Sequence, residues 1–167
     1  MLVSYNDSMK YQFLISCLLV TSLLFSSITS TQPNQELTSI SDLKDFDQRS
    51  IGIKKSNDQI IDIKVLIADT SKKTKQGLMY VESLPDNIGM LFIFKPPRKV
   101  SMWMKNTHIS LDILFIDENQ TIIKIHNEAK PFNLKSIQSN LKVKWVLEIN
   151  GGLAKELNIK KGDNILF

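Results

Sequence analysis

Apolar and polar positions alternate along residues 60–68, where Ile61, Ile63, Val65 and Ile67 are separated by Asp62, Lys64, Leu66 and Ala68. A period of two places one strongly apolar face on a β-strand. Asp69-Thr70 then offers caps for a short helix running to about Met79, with Gly77 near its end. Pro85-Asp86-Asn87 and Gly89 mark a loop, and Leu91 to Phe94 a short apolar strand that Pro96-Pro97 should break. Extended structure resumes from Lys99 to Met104. Leu111 to Ile116 is a strand, Asp117 to Gln120 a turn, and Thr121 to His126 the returning strand of a hairpin. Lys142 to Ile149 is another strand. Asn150-Gly151-Gly152 turns into a short helix, Leu153 to Asn158, and Lys161-Gly162-Asp163 turns into a final strand to Phe167. About seven strands and two short helices result, with no long helices regularly separating the strands. The expected class is a mostly β, compact antiparallel β-sandwich or barrel-like domain with two short helices.

The pattern changes before residue 50. Lys10 is followed by an apolar run over residues 11–25 and then by small, hydroxyl-rich residues, the layout of a secretory signal peptide. Residues 1–30 are therefore expected to be a signal peptide, cleaved near Ser30. The alternative is an uncleaved anchor over residues 11–28, a run at or below the roughly 20 residues needed to span a bilayer. Residues 31–49 are polar with scattered apolar residues and read as a flexible linker. Residues 50–167 form a single β-rich domain, long enough for its own core. An exported protein, periplasmic or secreted, is expected. Cys17 is the only cysteine, so the mature domain would have neither a disulfide framework nor thiol chemistry.

The chain of 167 residues carries a formal net charge of +4. Its basic residues are almost all lysines in small groups, and Arg49 and Arg98 are the only arginines. Base and phosphate recognition leans on arginine, so a lysine-decorated surface without nucleic-acid binding is expected.

One run stands apart from a generic core. Residues 101–117 pack two methionines around Trp103, then place Lys105-Asn106-Thr107 before a strand carrying the single acid Asp112. With Gly77-Leu78-Met79, Gly89-Met90-Leu91-Phe92, Phe115-Ile116-Asp117, Val146-Leu147-Glu148 and Gly162-Asp163, this run resembles the successive motifs of the domain of unknown function 192 (DUF192) family, in the same order and over roughly residues 52–167. The resemblance implies a compact β-rich domain, often behind a signal peptide or anchor, and no established activity. Met102 stands where the family usually has phenylalanine, and Ser110 where it usually has proline. Lys75 and Gln76 stand where an arginine is common, which removes a guanidinium able to hold an anion in a bidentate fashion.

The polar residues suggest two functions. In the first, Trp103, Lys105, Asn106, Thr107, Asp112 and Glu148 line a pocket, and a sugar or small polar envelope metabolite stacks on the indole. The domain would then be a non-catalytic ligand-binding or interaction module of the cell envelope. In the second, Asp112 and Glu148 act as paired carboxylates in a hydrolase of an envelope polymer or glycan. Against both stands a purely structural role, with Lys105 and Asp112 paired in a semi-buried network. Asp117 is better explained by the hairpin turn. Met102 and Met104 lie two apart and share a face; with Met79, Met90 and His108 they suggest copper thioether chemistry, but core filling is the stronger reading. No zinc or calcium pattern is present, and neither metal nor cofactor is expected.

Overall fold

The computed structural model describes residue 40 and residues 43–167. The signal segment expected at 1–30 and most of the linker expected at 31–49 lie outside the described residues. Nine strands and two short helices occur among the described residues: β1 Gln48–Lys54, β2 Ile60–Ala68, α1 Ser71–Gln76, β3 Ile88–Arg98, β4 Ser101–Met102, β5 Leu111–Ile116, β6 Ile122–Ala129, β7 Ile137–Gln138, β8 Val143–Asn150, α2 Leu153–Glu156 and β9 Asn164–Leu166. The domain is mostly β and barrel-like.

Seven strands form one sheet in the order β6-β5-β8-β3-β2-β1-β9, and β4 pairs separately with β7. Every pairing in the large sheet is antiparallel except β2–β3, which is parallel. Parallel neighbours need a crossover, and α1 with the segment after it supplies that crossover. The sheet curls until its two edges meet at one end. Thr121 and Asn164 form an isolated bridge; Ile122 N donates to Asp163 O at 2.9 Å and Ile165 N to Gln120 O at 2.8 Å. Closure of this kind removes exposed sheet edges where it occurs.

The central strands β2, β3, β5 and β8 alternate between two separate cores. Ile53, Ile63, Val65, Leu91, Leu114 and Leu147 pack inside the curl, with Leu153 and Ala154 of α2. Leu66, Met90, Phe92, Ile113, Phe115 and Val146 face the other way, onto Leu78, Met102, Met104 and the segments that carry them. A sheet covered on both faces reads as near-continuous apolar runs, as in Leu111–Ile116, where every residue is buried.

Local signals explain the caps. Thr70 accepts from Lys73 N at 3.2 Å to begin α1, and Gly77 ends it at a φ of 50°, a left-handed value that glycine adopts at little cost. Asp117 Oδ1 accepts from Asn119 N at 2.9 Å and Thr121 N at 3.0 Å, which builds the β5–β6 turn.

Three expectations need correction. The linker does not extend to residue 49, because Leu43 and Phe46 are buried in the outer core and β1 begins at Gln48. Pro96-Pro97 does not end β3, which continues to Arg98 with a register shift between Ile93 and Arg98. The extended segment from Lys99 to Met104 contributes only the two residues of β4.

Candidate functional site

A cavity of about 270 Å³ opens on the outer face of the sheet, between the end of α1, β3 and the segment 99–107. Its floor is buried and largely apolar: Leu78, Phe92, Phe94, Val100 and Met102. Its rim is exposed and carries Lys75, Arg98, Lys99, Trp103 and Lys105. The Gly-Leu-Met motif builds one wall: Gly77 stops the helix, Leu78 enters the core, and Met79 lines the cavity.

Glu148 projects into this cavity from the middle of β8. Only 4% of the residue is exposed. No hydrogen bond to its carboxyl comes from the described residues, and its oxygens are not sealed into the core but open onto the cavity. Burial pushes its pKa up from an ordinary 4.5 to about 8, since desolvation disfavours the charged form. At neutral pH it is therefore chiefly a carboxylic acid, with a proton to donate.

Gly89 holds the backbone beneath this side chain. A β-carbon at residue 89 would lie 2.7 Å from the carbonyl oxygen of Glu148, so only glycine lets β3 and β8 approach here. Gly89→Ala is expected to cost about 2 kcal/mol by overpacking, read as a lowered urea midpoint.

Of the six residues singled out in the sequence, the structure brings four to this cavity: Trp103, Lys105, Thr107 and Glu148. Trp103 is 48% exposed, opposite in direction to the buried Met102 and Met104, as strand alternation requires. The Lys105 ammonium lies 5.4 Å from the indole centroid, within cation–π range. Thr107 is buried, and its hydroxyl donates to Lys105 O at 3.2 Å.

Asn106 and Asp112 are placed elsewhere. Asn106 takes a φ of 53°, its amide donates to the Tyr80 hydroxyl, and its carbonyl accepts from Tyr80 N at 2.8 Å. It clamps the 104–107 turn to the segment following α1. Asp112 is fully buried. Its Oδ1 accepts from Glu128 N at 2.7 Å and its Oδ2 from Ala154 N at 2.8 Å. It thus ties β5 to β6 and to α2, and the expected Lys105–Asp112 pair does not form.

Register also removes the paired-carboxylate arrangement. Asp112 lies opposite Ile149 and Glu148 opposite Ile113. Directly opposed residues share a face, so the two carboxylates emerge on opposite faces of the sheet and cannot flank one bond. Of the proposed thioether group, Met90 and Met104 are fully buried and Met102 nearly so, all packed in the outer core, while the His108 ring packs against Tyr80 and Phe132.

Sequence reasoning missed Lys75, Arg98 and Lys99 as members of the site. The signal present was the basic cluster Lys95, Arg98 and Lys99, which reads equally well as a solvated face. The Arg98 guanidinium sits 5.1 Å from the Phe94 ring, so this cavity has its arginine from β3 and not from the end of α1.

Comparison with known proteins agrees with this architecture. No curated protein matches the sequence. A crystal structure of a protein described provisionally as a transcription regulator, from Sinorhizobium meliloti, superposes with a TM-score of 0.71 at 37% identity, covering 72% of this chain and 93% of that one. A protein of unknown function from Novosphingobium aromaticivorans superposes with a TM-score of 0.69 at 32% identity, covering 72% and 85%. The DUF192 family profile, described as Uncharacterized ACR, matches residues 52–167, the span that contains the cavity and the Trp103–Thr107 run. The chain belongs to the DUF192 family.

Proposed function

We propose that this domain is a non-catalytic, small-molecule-binding module of the cell envelope, with its ligand seated in the cavity around Glu148. One observation carries the reading: Glu148 is a buried carboxyl with no hydrogen-bond partner among the described residues, and it faces open space. Buried polar groups are normally satisfied by the protein, and an exception aimed into a cavity is a group awaiting a partner. The cavity is small for a ligand site, which suits a molecule of monosaccharide size. Its exposed indole offers an apolar face on which such a ring can stack. The envelope location rests on the signal-like composition of residues 1–30. The Sinorhizobium relative is described provisionally as a transcription regulator, but base and phosphate recognition leans on arginine, and the only arginines of this chain are Arg49 and Arg98.

A panel of small polar metabolites and glycans, followed by Trp fluorescence, tests the reading. A ligand of the cavity should shift the emission of Trp103, and its affinity should fall about tenfold or more in Glu148→Leu, the loss of one hydrogen bond to a buried partner. Ligands that bind Glu148→Leu as well as the native protein would place the site elsewhere.

A further inference from the structure

We infer that the cavity selects a hydroxylated anion, a small molecule whose oxyanion is held at the rim by Lys75, Arg98, Lys99 and Lys105 while a hydroxyl or carbonyl reaches Glu148. This deepens the proposed function and rests on the cavity being a ligand site. Four cationic side chains line one small opening, and none has an ion-pair partner among the described residues. Ion pairs do form elsewhere, at Lys54–Asp58 and between Lys73 and both Asp47 and Asp69. Converging like charges are unfavourable without a counter-charge. Among the described residues the only acid lining the cavity is Glu148, and a carboxyl kept protonated by burial does not supply one. An anionic ligand does. Aromatic rings lie close to two of the cations: Arg98 near Phe94 and Lys105 near Trp103. The guanidinium can then grip a carboxylate or phosphate through two parallel hydrogen bonds. The two ends of the cavity differ in chemistry, charge at the rim and a neutral donor at the floor, so one molecule must carry both complements.

Titration calorimetry on the full chain at neutral pH separates the possibilities, with glucuronate, inorganic phosphate and glucose as probes. Glucuronate should bind about tenfold or more tightly than glucose, the worth of one charge-assisted contact, and its advantage should shrink at high salt. Phosphate should compete with glucuronate. The double variant Arg98→Ala, Lys105→Ala changes only exposed side chains and should abolish the advantage of glucuronate over glucose. Equal binding of glucose and glucuronate would overturn the anion inference and leave the ligand site standing. Phosphate binding without glucuronate binding would overturn the hydroxylated body of the ligand. No binding by any probe would overturn both this inference and the function on which it rests.

Discussion

Glu148→Gln should make the protein more stable than its parent at alkaline pH and about equally stable near pH 4.5. In the folded chain the carboxyl titrates near 8, raised by burial from 4.5. The native state therefore holds a proton that the unfolded chain releases between those two values. Stability from that proton is fully present below the unfolded value, declines through the window between 4.5 and about 8, and is lost above it. The integrated loss is roughly 4–5 kcal/mol at 1.4 kcal/mol per pKa unit. Glutamine has nearly the same shape and never ionises, so its variant escapes this decline. Urea midpoints of the two proteins measured from about pH 5 to about pH 9 should diverge steadily, with the variant on top. Parallel curves would show that the native carboxyl ionises freely and that its burial has little energetic meaning. A group that lowers stability at neutral pH and has no hydrogen-bond partner among the described residues is the pattern expected where a site is maintained at the expense of the fold.

Asp112→Ala should have the opposite character: a large loss of stability at neutral pH without direct damage to the cavity. The side chain is fully buried, and both oxygens accept from backbone N–H groups on different elements. Truncation strands both donors, each at a cost of about 1–3 kcal/mol and more where the lost partner was charged. A total of roughly 3–5 kcal/mol follows, a large share of the 5–15 kcal/mol typical of a domain. Asp112→Asn retains one acceptor but turns an amide toward the second N–H, so it should fall between the two. The measurement is denaturant unfolding with ligand affinity determined below the transition. An alanine variant within 1 kcal/mol of the parent would remove Asp112 from its structural role.

These two acids show what sequence can and cannot disclose. Each is a single carboxylate in an apolar strand, LDILFI in one case and VKWVLEIN in the other. Nothing local distinguishes them. The difference lies in register, because β5 and β8 pair so that Asp112 meets Ile149 and Glu148 meets Ile113. One acid then enters the face where Ala154 and Glu128 offer N–H groups, and the other the face where a cavity opens. Pairing between strands distant in sequence leaves no periodic trace in either. The same limit hid the closure between Thr121 and Asn164, and the position of Arg98 beside Lys75 around one opening. Features carried by neighbouring residues were legible: the alternation of β2, the Thr70 and Gly77 caps of α1, and the Asp117 turn. β1 escaped notice because its first three residues are exposed and polar, which resembles a linker until Leu66 and Val65 are found opposite Gln48 and Arg49.

The junction of the sheet edges bears on when this chain can fold. Gly52 pairs with Leu166, and Ile53 with Ile165, so β1 waits for β9, a strand distant from it in sequence. Contacts of such high sequence separation raise contact order and slow folding, since the closure entropy of the whole intervening chain comes first. During synthesis β1 presents an open edge until residues 164–166 have emerged. The inner core, which includes Ile53 and Ile165 together, is completed only after translation of that segment. A nascent chain that has not yet reached β9 is therefore expected to expose the β1 edge, the kind of unpaired strand edge that makes partly folded chains prone to aggregation.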